Sequence, residues 1–318
     1  MKKIFAMMVC LSVLLGEAQG GDKVRLSVSS VDVAFLTAGV ALKRGFFQEE
    51  GLEPEVIRMN ANVSIIALAT GDIDYTLIFG SVVRGAMRGL PVKVVASFMD
   101  SSTHTLIARP NIRSASDLKG KTLGVSTVGA TADVAARMMM KHLGVDPDKE
   151  MKVVALGPAQ ARFAALKQGV VDVAVVSPPS DSEGEKMGYR VLARAYELFS
   201  FPFVGLGANV KKIEKQPDEV KRVIKAMIKA NRYIKENREG AIQVIMDWSR
   251  ADRENAVASY DATVKVFNRD GNMPEDGLRR VIDQAKAALQ TQQQFSIADV
   301  ADFGPLKAAQ RELGVKGK

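Results

Sequence analysis

The chain has 318 residues, 47% of them hydrophobic and 25% charged, with a formal charge of +8, one cysteine and two histidines. A chain of this length tends to divide its core into two lobes, and its apolar content is too high for a disordered polymer. The cysteine count excludes disulfide scaffolds, zinc sites built on cysteine pairs and dithiol redox motifs.

Residues 1–20 read as a secretory signal peptide. Lys2 and Lys3 precede the apolar run Ile4 to Leu15, and the segment closes on the small-x-small pattern Ala18-Gln19-Gly20. An apolar run of about a dozen residues is too short to span a bilayer core of roughly 30 Å. Cys10 lies inside that run after Val9, which is not a lipoprotein context, so no lipid anchor is expected. Cleavage would remove two lysines, one glutamate and the only cysteine, leaving a net charge of +7. An exported, thiol-free chain without an anchor points to the bacterial periplasm.

From residue 21, short β-branched runs alternate with helical patterns, as in a mainly parallel sheet covered by helices. Strands are expected at Lys23 to Ser29, Glu53 to Arg58, Tyr75 to Phe79 and Val92 to Phe98. The helices between them are expected at Val33 to Glu49, Asn62 to Thr70 and Ser81 to Arg88. A second series places strands near Thr122 to Ser126, Lys152 to Leu156, Val171 to Val176 and Arg190 to Ala195. Its helices fall near Thr131 to Leu143, Pro158 to Gln168 and Ser180 to Met187. Phe203 to Ala208 reads as a strand returning to the first unit, and the composition then turns helical to the end.

The two series are a duplication. A shift of 98 or 99 residues lays Ala67 to Asp74 on Ala165 to Asp172 and Gly89-Leu90-Pro91-Val92 on Gly188-Tyr189-Arg190-Val191. A period near 100 is too long for a solenoid and indicates two similar lobes. The expected division is 21–104 for the first part of lobe 1, 105–202 for lobe 2, and 203–318 for the return to lobe 1 with C-terminal helices. Pro217 suits a first helical position. Behind it, Val220, Val223, Ile224, Met227, Ile228 and Ile234 recur at helical spacing, opposite Lys221, Arg222, Lys225, Lys229, Arg232 and Lys235. Without interleaved aromatics or a reader motif, this reads as a solvated helix face and not as a nucleic-acid surface.

Catalytic signatures fail on spacing. Gly120-Lys121-Thr122 lacks the earlier glycine of a P-loop and precedes a strand, and Gly205-Leu206-Gly207-Ala208-Asn209-Val210 lacks the last glycine of a dinucleotide fingerprint. His104 and His142 fall in different halves with no carboxylate at ligand spacing, so neither a metal nor another cofactor is expected. What remains is a set of strand-to-helix junctions. Ser29-Ser30-Val31-Asp32 is matched after 99 residues by the junction running from Ser126-Thr127-Val128 to Thr131, and Phe79-Gly80-Ser81 by Ser177-Pro178-Pro179. Ligands of open α/β sheets bind outside the carboxyl ends of strands, where helix N-termini and hydroxyl groups can hold a small oxyanion. Asp32 and Thr131 also suit N-caps, whereas Thr127 and Gly129 precede the cap and are left for a ligand.

In these features the chain resembles the type II periplasmic binding proteins, most closely the nitrate/sulfonate/taurine-type substrate-binding proteins of ABC importers, a group that includes thiamine-pyrimidine-like binders. The resemblance rests on Ala41 to Gly51, Ala67 to Asp74, Ser116-Asp117-Leu118-Lys119-Gly120-Lys121 and Gln216 to Asn237, in that order. It implies an α/β fold of two similar Rossmann-like lobes joined by a two-strand hinge, here near Thr103 to Ala108 and Phe201 to Gly207. It also implies a pocket drawing on Ser30, Asp32, Val33, Gly80, Ser81, Thr127, Val128, Gly129, Ala130, Thr131, Ser177 and Pro178. The expected activity is capture of a small anionic or zwitterionic solute by a monomer that delivers it to a permease and its ATPase, without catalysis. The alternatives are an exported dehydratase-like enzyme on the same fold, for which His104 is the candidate base, and a ligand-sensing domain.

Overall fold

The computed structural model describes residues 21–199 and 202–315. The expected signal peptide, with Cys10, and Phe201 of the expected hinge lie outside the described residues. The first lobe opens with β1 (Asp22–Val28), β2 (Leu52–Arg58), β3 (Tyr75–Thr76) and β4 (Val92–Ser97). The chain then crosses to build β5 (Thr105–Ala108), β6 (Thr122–Val125), β7 (Lys152–Ala155), β8 (Val173–Val176) and β9 (Arg190–Arg194), and returns as β10 (Gly205–Asn209).

The two sheets have the orders β2-β1-β3-β10-β4 and β7-β6-β8-β5-β9. In each, four strands run in one direction, and the fourth position in the order is taken by an antiparallel strand received across the crossover. The duplicated sequence therefore folds into two sheets of one topology that exchange a strand. β8 is buried along its whole length, the signature of a strand covered on both faces.

Helices of seven or more residues are numbered here. The lobes carry α1 (Leu36–Lys43), α2 (Ala61–Thr70), α3 (Phe79–Met87), α4 (Thr131–His142), α5 (Ala159–Lys167) and α6 (Ser180–Lys186). The C-terminal region is α7 (Pro217–Glu236), α8 (Arg238–Ser249), α9 (Arg253–Thr263), α10 (Glu275–Leu289) and α11 (Gly304–Glu312). No helix among the described residues is long and apolar enough to cross a membrane. Pro217 opens α7, whose Val220, Val223, Ile224, Met227, Ile228 and Ile234 are buried in the first lobe's core. Its cationic face is matched by acidic partners: Lys221 with Glu312, Arg222 with Asp218, and Lys225 and Lys229 both with Glu50.

Three expectations are corrected. The single helix over Val33 to Glu49 is broken into a 3-10 turn, α1 and a short helix Phe46–Glu49, because Gly45 at φ 76 leaves the helical region. The strand over Tyr75 to Phe79 pairs only at Tyr75 and Thr76. Leu77 still donates to Ser27, but the chain turns into α3 at Phe79. The first crossing also sits earlier than expected, whereas the second, at Phe203 and Val204, falls within the expected Phe201 to Gly207. Thr105 to Ala108 already pairs with β8 and β9 inside the second lobe, while the residues just before it bridge the lobes. There Phe98 donates its N–H to Val204 at 2.7 Å and Phe203 to Met99 at 3.3 Å, joining the two crossings.

Candidate functional site between the lobes

A cavity of ≈ 200 Å³ lies between the lobes, above the paired crossings. Its walls are the carboxyl ends of strands: Ser29 and Ser30 follow β1, Ser126 and Thr127 follow β6, and Ser177 follows β8. Asp32 caps the turn that starts the first helix; its Oδ1 accepts the Ala34 N–H at 2.9 Å, and its carbonyl accepts Trp248 Nε1 at 3.1 Å. The lobes meet around the cavity. Val33 N–H donates to Pro178 O and Ser30 Oγ to Gln160 Oε1, each at 3.2 Å. Further out, Lys186 pairs with Glu254 at 3.0 Å.

The electrostatics are unusual for so small a space. Asp32 and Arg162 are both buried, at 2% and 3% exposure. Burial raises the Asp32 carboxyl above its ordinary range, against the opposing pull of Ser30 and Arg162. Burial likewise pushes the Arg162 guanidinium down to about 10, with Asp32 opposing. Arg162 donates Nε to Val175 O and Nη1 to Gly157 O, so backbone carbonyls hold it in place. His104 closes the floor. Its Nδ1 lies 2.8 Å from Ser102 Oγ, and its ring meets Phe203 of the other crossing edge-on, with centroids 4.6 Å apart. Burial, reinforced by the Arg162 charge, holds this imidazole well below its usual range.

Two hydroxyls at the cavity have no partner: the oxygens of Ser126 and Ser177 are buried and unsatisfied. A buried polar atom left unpaired costs about 1–3 kcal/mol, so two such atoms in the wall of one cavity are a cost that a polar group reaching them would offset.

Of the sequence-derived residues, Ser30, Asp32, Thr127, Ala130, Thr131 and Ser177 line this cavity. Val33 and Pro178 form the lobe contact at its edge. Gly80 packs against Thr131, where an added Cβ would lie 3.2 Å from Thr131 Oγ1. Ser81, Val128 and Gly129 do not line the cavity; they face a separate opening between the lobes. Gly80 and Ser81 lie in the first turn of α3, not in a loop before it. Val128 is 60% exposed, and Gly129 donates its N–H to Asp133 at 2.6 Å. The cap of α4 is Ala130, not Thr131, which is the first helical residue and is buried. Sequence reasoning missed Arg58, Asn60, Arg162 and Phe203, and did not place His104 in the pocket. A signal for Arg162 existed: with Ala159, Phe163 and Leu166 it occupies the buried face of α5, where an unpaired cation is out of place.

Residues 34–241, about two thirds of the chain, match the family model described as NMT1/THI5 like. A provisionally assigned binding protein of Brucella abortus (strain 2308) is 24% identical over 225 residues, covering 68% of each chain. Among solved structures, the periplasmic nitrate-binding protein NrtA from Synechocystis PCC 6803 superposes with a TM-score of 0.80 at 14% identity, covering 93% of this chain and 90% of that one. The alkanesulfonate-binding protein SsuA from Xanthomonas axonopodis pv. citri, bound to MOPS, gives 0.70 at 17% identity over 86% and 93%. The desulfurization enzyme DSZB shares the fold more distantly, at a TM-score of 0.63 and 13% identity over 92% and 99%.

Proposed function

Because the chain belongs to the NMT1/THI5-like family, we propose that it is the solute-binding component of an ABC importer. In this reading it is exported to the periplasm, captures a small anionic or zwitterionic organic solute in the inter-lobe cavity, and delivers it to a permease driven by a separate ATPase. Sulfonates, taurine, nitrate and related solutes are the candidate class, consistent with the nitrate and alkanesulfonate ligands named for the structural neighbours.

The observation that carries the reading is the cavity itself, a space of ≈ 200 Å³ drawn from both lobes whose wall holds two hydroxyls without partners, a buried carboxylate and a buried guanidinium. A guanidinium and free hydroxyls suit an oxyanion, and Asp32 suits a cationic group on the same molecule. A ligand touching both lobes favours the closed arrangement, because only differential affinity for the two states shifts their populations. The crossings at Phe98–Val204 and Met99–Phe203 are the natural hinge, being, among the described residues, the short segments through which the chain passes between two separately hydrogen-bonded sheets.

The test is a thermal-shift panel of sulfonates, nitrate, carboxylates and amino-sulfonates on the mature protein and on Ser177→Phe, which fills the cavity. Stabilisation of the parent by a member of the panel, absent in the variant, supports the site. Equal stabilisation of both overturns it. Catalysis is the second reading, favoured by the neutral His104 in the cavity and by the enzyme among the structural neighbours. Mass spectrometry of a bound solute after prolonged incubation decides it, and the binding reading requires the solute to be recovered unchanged.

A further inference from the structure

We propose that a second opening between the lobes, beside the central cavity, is an independent site for a small organic anion with an apolar body. This opening has a volume of ≈ 740 Å³ and is walled by α3 on the first lobe, by the loop before α4 and by α4 itself on the second, and by the end of α10. None of the cationic side chains that define it belongs to the central cavity.

The charge count is unbalanced. Three arginines, Arg84, Arg88 and Arg137, face the opening with two carboxylates, Asp133 and Asp148. Arg137 engages both carboxylates, Asp133 through Nε at 2.9 Å and Asp148 through Nη1. Asp133 is further committed to the Gly129 N–H. Arg84 is left with a neutral partner, Ser81 Oγ at 3.1 Å, and among the described residues no ion pair joins Arg84 or Arg88 to a carboxylate.

Arg84 stands in the last turn of α3 and Arg88 is its C-cap, four residues on, so the two like charges sit close together at one helix end and repel. Arg84 carries the larger penalty. It reaches across the lobe boundary to lie against Gly129, whose added Cβ would be 3.7 Å from the guanidinium carbon. Burial and the neighbouring Arg88 push it down to about 10, with only Asp133 opposing. A carboxylate or sulfonate held by both guanidiniums would relieve both costs. The rest of the wall is apolar: Ile65, Leu90 and Leu289 line it, and Ile66 and Val128 line it while remaining 53% and 60% exposed. A short alkyl chain attached to the anion would cover that surface.

Calorimetric titration of the mature protein with hexanoate, at fixed ionic strength, tests the site, with acetate and hexylammonium as controls. Hexanoate is expected to bind one per chain in the parent and in Ser177→Phe, at least about tenfold more weakly in Arg84→Gln/Arg88→Gln. Acetate is expected to bind more weakly than hexanoate, and hexylammonium not at all. Unchanged hexanoate affinity in the double variant overturns the proposal, as does loss of binding in Ser177→Phe, which would place hexanoate in the central cavity. Should the double variant fail to fold, Arg88→Gln alone, at an exposed position, reads the same difference. Equal affinity for hexanoate and hexylammonium also overturns it.

Discussion

The backbone N–H of Val33, in the first lobe, donates to the carbonyl of Pro178, in the second, at 3.2 Å. The two residues flank the central cavity: Asp32 precedes one and Ser177 the other, and both of these line it. In the proposed hinge motion, a direct lobe-to-lobe bond at this point would tie closure of the lobes to the side chains that would meet a solute. Population of the closed form and occupancy of the cavity are therefore expected to rise together.

Arg162 and Asp32 are expected to be energetically coupled. Arg162→Met removes the donors to Val175 O and Gly157 O and leaves Asp32 buried without its compensating charge. The two carbonyls left without donors are expected to cost about 1–3 kcal/mol. Adding Asp32→Asn, which keeps an acceptor for Ala34 N–H but removes the charge, should recover what the uncompensated charge adds to that cost. Denaturant unfolding of the two single variants and the double variant measures the coupling, and strict additivity would show that the two charges do not interact.

His104 should make stability fall on the acid side. Its folded-state pKa is depressed, so below the unfolded value of about 6.5 the unfolded chain takes up a proton that the native chain refuses. Its contribution is fully present above that value and is lost as pH falls toward the folded pKa, by up to about 1.4 kcal/mol per pH unit. His104→Asn retains an amide near the Nδ1 position facing Ser102. Compared with the parent in urea melts between pH 7.5 and 5, it should show a shallower decline, whereas parallel curves would dissociate His104 from the acid limb.

Trp248 offers an optical probe, since it is the chain's only tryptophan and its Nε1 holds the Asp32 carbonyl. A Cβ on Gly39 would lie 2.8 Å from Trp248 Cδ2. Gly39→Ala should therefore displace the indole, cost about 1–3 kcal/mol through overpacking and shift the emission maximum. An unchanged spectrum with parent stability would show that the ring accommodates the methyl group without moving.

The duplication and the alternation of strand and helix were legible because they depend on local pattern. Ala67 to Asp74 and Ala165 to Asp172 repeat the same helix end and strand entry, and the two sheets share one order. Hydroxyl-rich junctions were legible for the same reason, and Ser30, Thr127 and Ser177 do line the cavity. Arg162 escaped because its role depends on β8 and the Gly157 turn supplying carbonyls to an interior cation, a three-dimensional coincidence with no fixed spacing. Val128 and Gly129 were drawn into the pocket by adjacency to Thr127. The left-handed backbone at Gly129, φ 75, and its bond to Asp133 turn them instead toward the second opening. His104 and Phe203 lie on separate crossings, and only the pairing of those crossings brings their rings together.

The most direct measurement of the central claim is native mass spectrometry of the protein purified from its native host, followed by denaturation and identification of what is released. The parent is expected to carry one small anionic or zwitterionic solute per chain, and Ser177→Phe, prepared in the same way and folded by circular dichroism, none. Equal occupancy of the two proteins, or a parent that carries no solute and is stabilised by no member of the solute panel, would contradict the assignment of this cavity as the binding site.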